Sequence, residues 1–271
     1  RARVVVLAAN GIGTARLLLL SASPQFPDGL GNSSGLVGKN LMLHPNNEAL
    51  GLYDDDIESY KGPAGQLMYS LQFYETDRAR GFLRGAKMNL MPVPGVLRVL
   101  AGAGQLPFEQ RWGAAIHDFG EHAGRTLSWA ANVEDLPEEQ NRVTLDPALT
   151  DSDGIAAPRV DYKISANTRA NLEFALDRMV EMHAAAGARH ISRMPLWREA
   201  PGHILGTARM GNDPDNSVVD PFGRSHDVAN LFIVDGSVFV TGGGVNPTAT
   251  IQAVALHVAD VMKKRLADLF D

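Results

Sequence analysis

The spacing of apolar positions changes along the chain, and each change predicts a different kind of element. "RVVVLAANGIGTARLLLLSAS" opens with an unbroken apolar run from Val4 to Ala8, passes Gly11 and Gly13, and turns apolar again up to Ser21. The run predicts a buried strand, the glycines a turn, and the stretch from about Thr14 to Ser21 a helix. Strand, glycine turn and helix in this order make half of a parallel βαβ unit. "SPQFPDGLGNSSGLVGKNLMLHP" follows, rich in Gly, Ser, Asn and Pro, and predicts a surface loop that leaves one domain for another.

From about residue 44 to 200 the segments alternate or pair. "RTLSWAANVED" and "NRVTLDP" flank a "LPEEQ" turn and predict adjacent antiparallel strands, with "APRVDYKIS" as a third. Ser165 then caps a helix whose inner positions are Leu172, Leu176, Met179 and His183 and which stops at Gly187. The last part returns to α/β character. "NLFIVDGS" predicts a buried strand running into an Asp-Gly turn, and a terminal helix carries Ile251, Val254, Ala255, Val258 and Met262 on one side. Lys263, Lys264 and Arg265 lie on its solvent side. The layout is an α/β domain made of residues 1–43 and 201–271, with an α+β domain of residues 44–200 inserted. No internal repeat interrupts it.

Composition narrows the function classes. The chain has 271 residues, 45% hydrophobic and 21% charged, which suits a globular protein with ordinary cores. A net charge of −6 gives no electrostatic reason to expect nucleic acid as a partner. No apolar run approaches the roughly 18 residues of a membrane span. With no cysteine, disulfides, thiolate metal sites and a cysteine nucleophile are excluded. The compartment stays open, with the cytoplasm favoured. The sequence starts inside a strand without Met or a signal layout, so an upstream portion is expected, and any export signal would lie in it.

The chemistry concentrates in two stretches. In "TGGGVNPTATIQAVALHVAD", Asn246 is a favoured N-cap, Pro247 suits the first helical position, and Thr248 and Thr250 leave free backbone donors. Such an end is electropositive, and Gly242 to Gly244 let a flat ligand approach the backbone. A glycine-rich loop before an ordinary capped helix accounts for the same residues without a ligand. In "PGHILGTARMG", His203 lies between glycines outside any clear period, where an imidazole serves as a general base or simply bonds a nearby carbonyl. No Ser or Asp beside it forms a hydrolytic triad. Two other signals fail: "NGIG" has Arg16 where a dinucleotide fingerprint needs glycine, and His117 and His122 of the His117, Asp118, Glu121, His122 cluster are spaced i, i+5, which does not share a helix face. No metal site is expected.

Taken together, "VVVLAANGIGTARLLLLS", "GLVGKNLMLHP", "GHILGTARMG" and "NLFIVDGSVFVTGGGVNPTATIQAVALHVAD" resemble the C-terminal half of a glucose-methanol-choline (GMC) flavin oxidoreductase. "EDLP" and "NRVTLD" are similar to the bacterial sugar-oxidising and gluconate-dehydrogenase-like branch. The resemblance implies an α/β FAD-binding (Rossmann-like) portion formed by both chain ends, plus an inserted α+β substrate domain with an antiparallel sheet. It implies FAD-dependent oxidation of a CH–OH group in a sugar, glycoside or other alcohol. His203 aligns with the family's catalytic His, the base for the hydroxyl proton while the carbinol hydride goes to flavin N5. Asn246 falls where members carry a second His or an Asn and would orient the substrate oxygen. Asp235 and Gly236 match the turn at the FAD ribityl-phosphate region, Pro247 and Thr248 the helix start under the flavin N1/O2 edge, and Ala9 the strand end near the adenosine.

The family's Gly-rich FAD-binding turn lies upstream of everything here, so the resemblance implies a missing N-terminal half or a partner chain carrying it. Little FAD affinity is expected without it, and the exposed apolar edges would invite association, including oligomers. The competing reading is a non-catalytic binding or interaction subunit. "FYETDRARGFLRGAKMNL" and "RWGAAIHDFGEH" are candidate pocket or lid segments. The residues leave open the substrate and whether electrons pass to oxygen, a quinone or a haem protein.

Overall fold

A computed structural model describes residues 2–61, 68–92, 112–196 and 202–264. The chain divides into two compact units, Arg1–His44 with Glu134–Ser165 and Ala200–Asp271, and Pro45–Val133 with Ala166–Glu199. The first unit holds a parallel strand pair and an antiparallel hairpin, and the second holds an antiparallel sheet.

In the first unit, strand β1 (Val5–Leu7) pairs in parallel with β9 (Leu231–Ile233), Val5 opposite Leu231 and Leu7 opposite Ile233. Helix α1 spans Asn10–Leu20 and so begins about four residues before the expected start. The reason is Asn10, which adopts φ 64° and turns its Oδ1 onto the N–H groups of Ile12 (3.0 Å) and Gly13 (3.2 Å), supplying the cap itself. Gly11 and Gly13 therefore lie in the first helical turn. A Cβ on Gly11 would come within 2.6 Å of the Ile204 side chain, so the glycine admits the segment after His203. The helix buries Thr14, Ala15 and Leu18, and Leu18 joins Val37, Val219, Leu231 and Ile233 in the main core of this unit.

The expected burial of β1 is only half realised. Val5 and Val6 are 40% and 48% exposed, because among the described residues β1 has a strand neighbour on one side only. Buried β9 behaves as expected. The terminal helix, α4 (Thr248–Lys264), likewise buries Val258 fully while Leu256 is 71% exposed.

The expected hairpin across "LPEEQ" is corrected. Strand β5 (Thr126–Val133) pairs with β2 (Asn46–Leu52) and β4 (Ala86–Pro92), whereas β6 (Arg142–Thr150), among the described residues, pairs only with β7 (Ala156–Asp161). The chain passes from the second unit to the first between Val133 and Glu134, and Glu134 and Asp135 are buried. The β6–β7 hairpin belongs to the first unit. Gly38, at φ 86°, receives it: Val143 N–H donates to Gly38 C=O (2.8 Å), and a Cβ on Gly38 would meet Val143 O at 2.2 Å. Arg16 on α1 holds the far turn through Asp151 (2.6 Å) and the Ala156 carbonyl (2.8 Å).

The second unit is a five-stranded antiparallel sheet in the order β3 (Met68–Ser70), β4, β5, β2, β8 (His190–Met194). A short helix, α2 (Gly113–Glu121), precedes β5. Helix α3 (Ala166–Ala185) starts one residue past Ser165 and lays Leu172, Ala175, Leu176, Met179 and His183 inward. Its end is a Schellman motif, with Gly187 at φ 84° and Ala188 N–H returning to His183 C=O. His183, on the apolar stripe, is satisfied by Ala49 C=O (3.0 Å) and the Tyr53 hydroxyl (2.8 Å). Of the candidate lid segments, residues 73–90 include Arg80 stacked on the Phe73 and Phe174 rings, and residue 111 lies outside the described residues.

Candidate active site

The site grows from a short non-local bridge inside the first unit. Met42 and Leu205 exchange both backbone hydrogen bonds at 3.0 Å, and His44 N–H donates to Gly202 C=O at 3.3 Å. This register sets two imidazoles side by side. His203 adopts φ 67°, a left-handed backbone that a non-glycine residue keeps only when its surroundings hold it there. Gly206, at φ 93°, lets the bridge close, since a Cβ there would sit 2.1 Å from Asn40 O.

The two rings meet edge-on, with His44 Nδ1 to His203 Nδ1 at 2.8 Å and centroids 4.9 Å apart. His44 Nε2 reaches the Gly242 carbonyl at 3.1 Å, and on the other side His203 Nε2 faces Asn246 Nδ2 at 3.3 Å. A continuous chain thus runs from the glycine stretch through His44 and His203 to the amide that precedes α4. His44 is 1% exposed, and burial, reinforced by neighbouring His203, lowers its pKa to about 4 despite the opposing carbonyl bonds at Gly242 and Gly243. Burial also lowers the pKa of half-buried His203. Both imidazoles are neutral at neutral pH.

Behind the rings, Asp135 accepts from the Tyr162 hydroxyl (2.8 Å) and from Leu43 N–H (3.4 Å). Burial, then the Asp135 carboxylate, pushes the Tyr162 hydroxyl up, so it stays a donor. Asp135 also backs Gly242, where an added Cβ would meet its carbonyl and His44 Nε2 at an ordinary 3.5 Å.

Of the residues expected from sequence, His203 and Asn246 come together directly. Pro247 is buried and accepts from Ile251 N–H (2.9 Å), so it caps α4, and exposed Thr248 is the first helical residue. The helix therefore starts one residue later than expected, with the Asn246 side chain turned to His203 instead of capping. Asp235 faces inward: its carboxylate takes the Thr14 hydroxyl (2.5 Å) and Ser237 N–H (2.8 Å), and it is 7% exposed. Its side chain is thus committed to structure, and only its backbone is left to meet a ligand. Gly236 packs against the bridge, where a Cβ would lie 2.8 Å from Ile204 O and 3.2 Å from Ile251 of α4. Ala9 donates its N–H to Thr14 Oγ1 (3.2 Å) and so belongs to the same fastening.

Sequence reasoning missed His44. The signal was a histidine closing the apolar run Leu41–Met42–Leu43, a place where an imidazole must be buried and paired. Among the described residues no cluster of three or more His, Asp or Glu side chains could hold a metal, and no helix is long and apolar enough to cross a membrane.

Comparison with known proteins gives a consistent result. Residues 137–255 match the family model described as "GMC oxidoreductase". The chain is 42% identical over its whole length to 2-methyl-1,2-propanediol dehydrogenase of Mycolicibacterium austroafricanum, 49% of which it covers. It is 34% identical to 6'''-hydroxyparomomycin C oxidase of Streptomyces lividus over 98% of this chain and 46% of that one. It is also 31% identical to the fructose dehydrogenase large subunit of Gluconobacter japonicus, over 96% and 47%. The chain spans about half the length of the curated relatives it matches. Among solved structures, pyridoxine 4-oxidase from "Mesorbium loti" shares the fold at TM-score 0.55 and 18% identity, over 96% of this chain and 51% of that one.

Proposed function

Because this chain belongs to the GMC oxidoreductase family, matching its C-terminal part, we propose that it carries the alcohol-activating residues of an FAD-dependent enzyme oxidising a CH–OH group. The observation that carries this reading is the His203–Asn246 pair, 3.3 Å apart at the head of α4 and next to the glycine stretch. At that length the contact is weak and easily opened. A substrate hydroxyl entering between them gives its proton to His203 Nε2 and accepts from Asn246 Nδ2–H. The amide steadies the oxygen as negative charge develops, and the imidazole takes the proton.

The residues present fit FAD. Among the described residues the N–H groups of Asp235 and Gly236 donate to no acceptor, although both residues are buried. Paired, inward-set N–H groups of this kind suit a phosphate or ribityl oxygen. The first N–H groups of α4, from Thr248 to Thr250, lie at an exposed helix start that favours an electron-rich ring edge. Ala9 stands at the neighbouring strand end. FAD supplies, when bound, the acceptor for the carbinol hydride. The parallel β1–β9 pair then forms part of a Rossmann-like sheet, with the second unit, Pro45–Val133 and Ala166–Glu199, serving substrate recognition.

Aliphatic diols and sugars are the substrate class favoured by the relatives' names. The test is anaerobic mixing of the full-length protein with 2-methyl-1,2-propanediol, fructose or a glycoside while the flavin absorption bands are followed. Bleaching by one of them is expected. Full-length protein that stays colourless after FAD is supplied would support a binding subunit instead.

A further inference from the structure

We propose that His44 is a positioning residue that holds His203 in the tautomer protonated at Nδ1, so that Nε2 is bare where it meets Asn246 and the substrate. The inference rests on the reading of His203 as the base and assigns how it is prepared.

The argument is one of donor and acceptor accounting. A carbonyl oxygen only accepts, so the 3.1 Å contact with Gly242 O requires the proton of His44 to be on Nε2. A neutral imidazole has one proton, which leaves His44 Nδ1 as an acceptor. Across 2.8 Å from it stands His203 Nδ1, which must then be the donor. His203 is neutral too, so its Nε2 carries a lone pair, and the amide nitrogen of Asn246 points a hydrogen at it. Every contact is satisfied by this arrangement. Reversing both rings would turn a bare His44 Nε2 toward the Gly242 oxygen, lone pair against lone pair, and moving the proton of His203 alone would set two lone pairs against each other at the 2.8 Å contact.

The same chain holds after proton transfer. His203 as imidazolium keeps its Nδ1–H on His44, so charge appearing on the outer ring meets a neutral acceptor already in line. That role needs His44 uncharged, which its burial secures. A protonated His44 would donate from Nδ1, force the proton of His203 to Nε2 and block the base. His44 sits behind His203, away from Asn246, and acts only through it.

The test uses the full-length protein labelled with 15N histidine. Long-range proton–nitrogen correlation spectra are expected to show His203 as the Nδ1–H tautomer, a readout that needs neither flavin reduction nor substrate. In His44→Leu, which removes the acceptor, the His203 signals should move toward the Nε2–H pattern. Flavin reduction should slow by at least about tenfold with KM little changed. His44→Asn, whose side-chain oxygen overlays Nδ1, should recover most of both. A wild-type His203 protonated at Nε2 overturns the proposal even where His44→Leu does not fold. So do unchanged His203 signals and unchanged reduction in a folded His44→Leu protein. Correct tautomers in a protein that no alcohol reduces would instead sink the proposed oxidation and leave the positioning role standing.

Discussion

The hydroxyl of Thr14 donates to Asp235 across 2.5 Å, joining the first turn of α1 to the end of β9 over 221 residues of sequence. Thr14 is fully buried and also accepts from Ala9 N–H, so one hydroxyl fastens both strand ends of the parallel pair. Thr14→Val keeps the shape and removes both bonds. The loss is expected to be about 2–3 kcal/mol, since a buried carboxylate loses a partner. Urea denaturation of the full-length protein measures it, and a change below about 0.5 kcal/mol would show that Asp235 finds other partners.

Removal of the proposed base separates chemistry from folding. His203→Ala is expected to slow flavin reduction by roughly two orders of magnitude or more while bound flavin is retained. Asn246→Ala should cost less, about tenfold, shared between KM and the reduction rate, because the amide both orients the oxygen and steadies its developing charge. Rapid-mixing reduction kinetics decide both. An His203→Ala rate within about twofold of the parent would remove the imidazole from the reaction.

The lowered pKa of His44 predicts a pH dependence of stability. The buried ring is neutral when folded and titrates near 6.5 when unfolded, so between about pH 6.5 and 4 the unfolded chain binds more protons. Stability therefore rises with pH through this window and is lost as pH falls, by an amount on the order of 3 kcal/mol for this group. Denaturation at stepped pH should show this slope in the parent and a shallower one in His44→Asn. For His203, also lowered, the reduction rate should stay level below pH 6.5 and fall only as that ring protonates. An inflection above 6.5 would contradict the burial seen here.

Two glycines of similar backbone conformation should respond differently to alanine. Gly35, at φ 66°, has open space where a Cβ would go, so Gly35→Ala should cost only the left-handed strain of about 1 kcal/mol. Gly38→Ala also drives a methyl into Val143 O and breaks the seat of the β6–β7 hairpin, an expected cost of about 3 kcal/mol or more. Thermal or urea unfolding of the two variants side by side tests the ranking.

What the sequence disclosed was what local chemistry determines. The strand and helix at the start, the inward stripe of α3 with its Gly187 stop, and the terminal helix each follow from spacing and caps within a few residues. His203 and Asn246 were legible through motif resemblance, and their meeting is a matter of coordinates. The failures are non-local. "LPEEQ" has turn composition, yet its flanking strands find different partners, because β5 buries both neighbours in the five-stranded sheet. The bond between the Asp235 carboxylate and the Thr14 hydroxyl spans 221 residues and is invisible in the Asp-Gly turn itself. His44 escaped because its meaning depends on residues 42–44 aligning with 202–205, a register no window of sequence contains.

The His44–His203 chain ends on the main-chain oxygen of Gly242. Side chains can be exchanged one codon at a time, but a peptide carbonyl is present whatever amino acid is encoded, so the last link has no null mutation. Substitution at 242 can alter only the direction of that oxygen, and the ordinary clearance around the position makes even alanine admissible there. The anchor of the device is thus genetically silent, and mutational scans will find its importance concentrated on the two imidazoles.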